Sequence, residues 1–230
     1  MNDYLYENVD VILIPSLPGH YWNQAMNKYG IAKINYVLGK FPCQNSTTPN
    51  RKIVNYQATS LGQVDKKYLW DFAASVLPGF KTLKELEIDR KTYKKLRRDK
   101  VKLAEYFQKK IGFGATDRVR FIYPTEKYVE SCVTGAESAG CLFLKKELYE
   151  HRYFPKKIFY QFEASGIIPH SKIFIVTDDD HEVNDNTVIY FGSHNFSPAA
   201  WGKYEKKFTQ LAVINSEIGI LIPPMKGAYL

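Results

Sequence analysis

Apolar and polar positions along this chain switch between a period near two and a period near 3.6, and the switches mark out its elements. Residues 9–14 form a short β-rich run, followed by the Pro/Gly turn of "PSLPG" and a predicted helix from about Tyr21. A second helix is expected over 33–41, and "RKIVNYQATSLG" reads as a strand ending in a Thr, Ser and Gly loop. Over 65–76, Leu69, Phe72, Ala73 and Val76 recur at helical spacing behind Asp65, a residue suited to cap the first turn. "RVRFIYPTEKYVESCVTG" then reads strand, turn, helix, and "FPKKIFYQFEAS" reads as a short amphipathic helix. The last third turns to strands, at 172–177, 187–192, 211–215 and 218–222. Alternating elements of this kind predict an α/β fold, a mixed β-sheet flanked by helices, with residues 1–230 as a single domain.

Composition adds two constraints. A hydrophobic fraction of 45% over 230 residues is ample for a packed core, and no apolar run approaches the roughly 20 residues of a membrane-spanning helix, which predicts a soluble protein. The formal charge of +8 favours a polyanionic partner, or else a merely well-solvated basic surface. Cys43, Cys132 and Cys141 lack the paired spacing of a zinc site and read as reduced thiols of an intracellular protein. Residues 81–110 are dense in both signs of charge, which suits a solvated helical face or an insertion. The abundant Tyr and Phe are core residues or platforms for unpaired bases.

Candidate chemistry concentrates between residues 166 and 222. On a strand, residues two apart share a face, so His170 and Lys172 are expected to converge as one imidazole and one ammonium. On a phosphodiester, a lysine neutralises non-bridging oxygens while an imidazole attacks phosphorus or moves protons near neutral pH. A chain with five histidines and 32 basic residues produces one such pair by chance about as often as not, so the pair alone is weak. Its frame strengthens it. Two apolar runs form an apparent hairpin across "DDDHEVNDN", and the second delivers "FGSHNFSPAAWG", with Asn195 and Ser197, beside the start of the first. "SPAAWG" also reads as a helix start, with Ser197 as cap, Pro198 at the first position and Trp201 in the core. The acidic loop lacks the glycine and terminal glutamate of a calcium loop and reads as an exposed tip, so no metal or cofactor is expected.

"IPHSKIFIV", "IYFGSHNFSPAAWG" and "SEIGILIPP", in this order and spacing, resemble the carboxy-terminal half of the tyrosyl-DNA phosphodiesterases, members of the phospholipase D superfamily with two His-Lys-Asn motifs. "NVDVILIPSLPGHY" resembles the start of that family's second domain, and "NYQATSLG" its DNA-contacting loop. The resemblance implies one of two pseudo-symmetric α/β halves with the site between them. His170 would then be the general acid and base, and Lys172 and Asn195 would hold phosphoryl oxygens. Ser197, Thr59 and Ser60 would bind substrate, and Glu217 would orient a catalytic histidine. The implied substrate is DNA whose 3′ end carries a phosphotyrosyl or other adduct, including a peptide left by topoisomerase I, in nuclear DNA repair. Of the five histidines only His170 is followed two places later by Lys, so the nucleophilic histidine is expected in an amino-terminal catalytic domain. The isolated chain is expected to be inactive. A nuclease that pairs two copies of the chain, and a non-catalytic DNA-binding module, are the alternatives.

Overall fold

The computed structural model describes residues 11–41, 52–77, 117–151, 154–162, 166–178, 182–206 and 208–224, with isolated positions between 95 and 109. The charged stretch 81–110 therefore lies, apart from those positions, outside the described residues, as does Cys43.

Among the described residues, seven strands build the main sheet: β1 (Ile12–Ser16), β3 (Ile53–Gln57), β4 (Val119–Pro124), β5 (Phe159–Phe162), β6 (Lys172–Thr177), β7 (Val188–Gly192) and β10 (Glu217–Ile222). Their order is β1-β10-β7-β6-β3-β4-β5. Pairs from β1 to β3 run antiparallel, and β3-β4-β5 run parallel, so the sheet is mixed. A small second sheet joins β2 (Gly19–Trp22), β9 (Gln210–Val213) and β8 (Lys203–Glu205) in the order β2-β9-β8. Helices among the described residues include α1 (Gly30–Leu38), α2 (Lys66–Val76), α3 (Glu126–Glu130), α4 (Lys146–Glu150) and α5 (Pro198–Trp201). The α/β class read from the pattern holds, as a large mixed sheet with helices packed on it.

Local chemistry explains several boundaries. Asp65 caps α2, its Oδ1 accepting from the Tyr68 N–H at 2.8 Å, and Thr125 caps α3 in the same way through Tyr128. Nine of the eleven residues of α2 are buried, which makes it the central helix over the sheet. The core is aromatic: Tyr56, Phe72, Phe121, Phe174, Phe196 and Trp201 are all fully buried and meet mostly edge to face.

Two sequence expectations are corrected. The helix expected from about Tyr21 is instead strand β2 followed by a 3-10 turn, because 19–22 pair in register with β9. The amphipathic helix expected in "FPKKIFYQFEAS" is a short 3-10 turn and then β5, because residues 159–162 extend the parallel edge beside β4. Tertiary pairing outweighs a local helical pattern at both places. Strand β8 is three residues long, too short to register as a period.

The two faces of the main sheet differ. Ile14, Leu221, Tyr190, Phe174 and Tyr56 look into the helical core, while Leu13, Ile220, Phe191 and Ile173 form the matching row on the opposite face. On that opposite face Leu13 is 53% exposed, Phe191 52% and Ile218 59%, a contiguous apolar surface on four neighbouring strands. Toward the core, Lys172, Gly192, Gly219 and Ile14 share one row. The two glycines open a slot for the Tyr190 phenol, and a methyl group at either would overlap its hydroxyl. Replacement of Gly219 by Ala is therefore expected to cost about 1–3 kcal/mol of stability, read as a lower urea midpoint with an unchanged slope.

Candidate active site

Strand β6 begins at Lys172, so His170 lies in the loop before it and not on the strand. The expected convergence survives by another route. The buried Lys172 side chain curls back to its own loop, Nζ donating to the His170 carbonyl at 2.6 Å and lying 3.2 Å from His170 Nε2. An ammonium has no lone pair, so in the latter contact it donates and Nε2 accepts. The Nε2 lone pair of His170 is thereby engaged by Lys172, while the ring itself is exposed to an incoming ligand. Burial pulls the Lys172 ammonium below its ordinary range, while Cys141 and the Glu217 carboxylate lie near enough to oppose that shift.

Asn195 follows β7 on the adjacent strand and is held by a different contact. Its Oδ1 accepts from the Ser60 backbone N–H at 3.1 Å and, more loosely, from the Thr59 hydroxyl at 3.4 Å. Because a backbone N–H needs an oxygen acceptor, this bond also settles which amide atom is which. The two N–H donors of Nδ2 are consequently turned away from the 59–60 loop. Backbone links carry the pairing further, Phe196 N–H to the Ser60 carbonyl at 3.2 Å and Gly62 N–H to the Phe196 carbonyl at 3.1 Å.

Ser197 is the cap that the sequence suggested: its Oγ accepts from the Ala200 N–H at 3.1 Å, with Pro198 at the first helical position. Its hydroxyl proton remains a donor. Glu217 is half-buried at the start of β10, and its carboxylate accepts from the Ser193 hydroxyl and from Asn215 Nδ2 at 3.1 Å. The sequence-derived residues thus fall into three small clusters along the edge formed by the ends of the interior strands: His170 with Lys172, Asn195 with Thr59 and Ser60, and Glu217 with Ser193. The antiparallel register of β6, β7 and β10 places the start of the first, the end of the second and the start of the third together. A pocket of about 280 Å³ lies behind the Ser197 turn, lined by Lys67, Asp71 and Lys203 among others, and not at the His170 face.

One layer escaped the sequence reading. His194 is fully buried beneath the turn, stacked on Trp201, with Nε2 3.0 Å from Ser16 Oγ and Nδ1 bonded to the Tyr190 hydroxyl. Burial holds the Tyr190 phenol well above its usual range and the imidazole neutral, so the ring donates from one nitrogen to one of the two hydroxyls and accepts at the other nitrogen from the second. Above, the His194 carbonyl accepts from Tyr56 OH at 2.7 Å, and Tyr56 OH accepts from Trp201 Nε1 at 2.8 Å. The signal available in the sequence was a glycine two residues after Tyr190 and another two after Glu217, since glycine in a strand marks a close approach.

Over residues 1–228 the sequence matches the tyrosyl-DNA phosphodiesterase family. The chain belongs to this family. Among curated proteins it is 27% identical over 226 residues to tyrosyl-DNA phosphodiesterase 1 of Arabidopsis thaliana, covering 95% of this chain and 31% of that protein. Among solved structures it resembles yeast tyrosyl-DNA phosphodiesterase, with a TM-score of 0.59 at 18% identity over 93% of this chain and 46% of that one. A variant of the yeast protein gives a TM-score of 0.60 at 17% identity, covering 96% and 48%. The chain thus spans about a third of the curated relative and about half of the solved structures. At these identities the structural likeness carries the fold alone, a phospholipase D-like α/β domain.

The buried histidine makes the site's platform sensitive to acid. Desolvation lowers the His194 pKa from 6.5 to about 3, so the unfolded chain takes up a proton that the folded one refuses. The associated stability is complete above pH 6.5 and is lost as pH falls toward 3, at about 1.4 kcal/mol per pH unit. Urea titrations at pH 7.5 and pH 5 should differ by about 2 kcal/mol in wild type and by clearly less in His194→Gln. Equal pH slopes in the two proteins would contradict the assignment.

Proposed function

We propose that this chain supplies one half of a phosphodiesterase site that removes tyrosyl adducts from DNA 3′ ends. The observation that carries the reading is the His170–Lys172 contact, set at the sheet edge where the Asn195 amide is pinned with its donors outward, in a chain of this family. Lys172 and Asn195 would bind the non-bridging phosphoryl oxygens, with Ser60, Thr59 and Ser197 bordering them. An arriving phosphate competes for the Lys172 ammonium, which frees Nε2 of His170 to carry a proton. His170 can then protonate the departing tyrosine oxygen as general acid. As general base, it afterwards takes a proton from the water that hydrolyses a covalent phosphoenzyme.

A nucleophile is still required, and no second histidine in this chain has a lysine two places on. We assign it to a companion catalytic half. Glu217, oriented by Ser193 and Asn215, is the carboxylate that would position the companion's histidine. The apolar face around Leu13, Phe191 and Ile218 supports a companion as well, since an uncovered surface of that kind favours a partner.

In a protein containing both halves, His170→Ala should lower turnover of a 3′-phosphotyrosyl oligonucleotide by about 10²–10⁴-fold. The isolated chain should bind a 3′-phosphorylated oligonucleotide, lose that binding in Lys172→Met, and show no turnover. Turnover by the isolated chain that disappears in His170→Ala would overturn the half-site reading, and a dimer in sedimentation would then point to two copies sharing the site.

A further inference from the structure

Phe143 stands beside the Ser60 loop with 54% of its surface in water, although six of the other ten described phenylalanines are buried. Its position is fixed by backbone. The Phe143 N–H donates to the Thr59 carbonyl at 2.9 Å, and its carbonyl accepts from the Leu61 N–H at 3.0 Å. Ser60 and Phe143 form a parallel bridge, as do Leu61 and Phe196. Bridge partners point their side chains to the same side, and successive residues alternate. Leu61 and Phe196 are wholly buried, so Ser60 and Phe143 together face outward, one inter-strand step of about 5 Å apart. Ser60 in turn holds Asn195 through its N–H.

Two further groups belong to this wall. Lys145 places its ammonium 5.9 Å from the Phe143 ring centroid. Cys141, two residues before Phe143, lies close enough to Lys172 to act on its charge, which puts the 141–145 segment along the border of the His170–Lys172 site.

We propose that the Phe143 ring is a stacking platform for the terminal nucleobase of the DNA strand whose 3′ phosphate sits at Lys172 and Asn195. The inference rests on the phosphate-site reading above and adds the subsite that orients the strand. A flat ring within reach of the phosphate could come from the base or from the tyrosine of the adduct. Lys145 favours the base, because an aromatic surface flanked by a cation suits a strand in which bases alternate with phosphates. Stacking of this kind tolerates any base, so Phe143 confers a requirement for a base and no sequence preference.

The test uses fluorescence anisotropy of a short single-stranded oligonucleotide with a 3′ phosphate. With an intact terminal base, Phe143→Ala should weaken binding by on the order of 10-fold, and Phe143→Trp should retain it. With an abasic terminal residue, wild type should bind as weakly as Phe143→Ala does to the intact strand, and the substitution should have no further effect. Because Phe143 is exposed, its variants should keep the wild-type urea midpoint. Binding of the intact strand by Phe143→Ala within twofold of wild type, while Lys172→Met still weakens it, would overturn the platform and leave the phosphate site standing. A strand that binds Lys172→Met as tightly as wild type would overturn the phosphate site instead. A Phe143 dependence seen only with a phosphotyrosine on the abasic end would assign the ring to the tyrosine and overturn the nucleobase.

Discussion

Leu61 and Phe196 lie side by side in a two-residue parallel pairing, tied by the bonds from Phe196 to Ser60 and from Gly62 to Phe196, with both side chains driven fully into the aromatic core. Burial of those two side chains turns their neighbours outward, and the neighbours are Ser60 and Asn195. The Asn195 amide is then fixed because Ser60 has only one N–H to donate and Asn195 Oδ1 receives it. Hydrophobic burial on one side of a short ladder thus sets a polar group on the other side, 135 residues away in sequence. Gly62 contributes by its missing side chain, since a Cβ there would press on Ser197.

Beneath the ladder, a buried polar network carries the load that an apolar core would carry elsewhere. Ser16, His194 and Tyr190 satisfy one another, and Tyr56 joins the His194 carbonyl to the Trp201 indole. Such a network is stable only when each member has its partner, because an unpaired polar group in a low-dielectric interior costs more than a bond contributes. The network also couples strands: Ser16 is on β1, Tyr190 on β7, Tyr56 on β3, and the glycines that admit the Tyr190 ring lie on β7 and β10. Four strands of the main sheet therefore depend on the packing around one imidazole, directly under the turn that carries Asn195.

Lys172 shows the opposite economy. It points toward the core row yet bends out to His170, so an ammonium sits at the boundary between the apolar interior and water. Partial desolvation strengthens its attraction for any anion that reaches it. Together with the Asn195 donors it gives the sheet edge two separately anchored groups suited to phosphoryl oxygens, with Phe143 and Lys145 along one border.

Much of this was legible in the chain. Residues 172–177 are the strand that alternation predicted, Asp65 and Ser197 cap the helices they precede, and the order His170, Lys172, Asn195, Glu217 marked the edge at which the clusters assemble. Those features are local, set by period, capping chemistry and spacing. Residues 19–22 and 159–162 became strands because a partner strand was available, and neither partner adjoins them in sequence. His194 looked like any other histidine until the fold placed Tyr190 and Ser16 on its two nitrogens, and nothing in the pattern separated Phe143 from the other phenylalanines until the Ser60 bridge held it in water. The sequence by itself determined which polar groups the chain carries to this end of the sheet and the order in which the strands carry them. The tertiary structure alone decided which are buried, which face out and which hold the others in place, because those properties come from pairings between segments far apart in the chain.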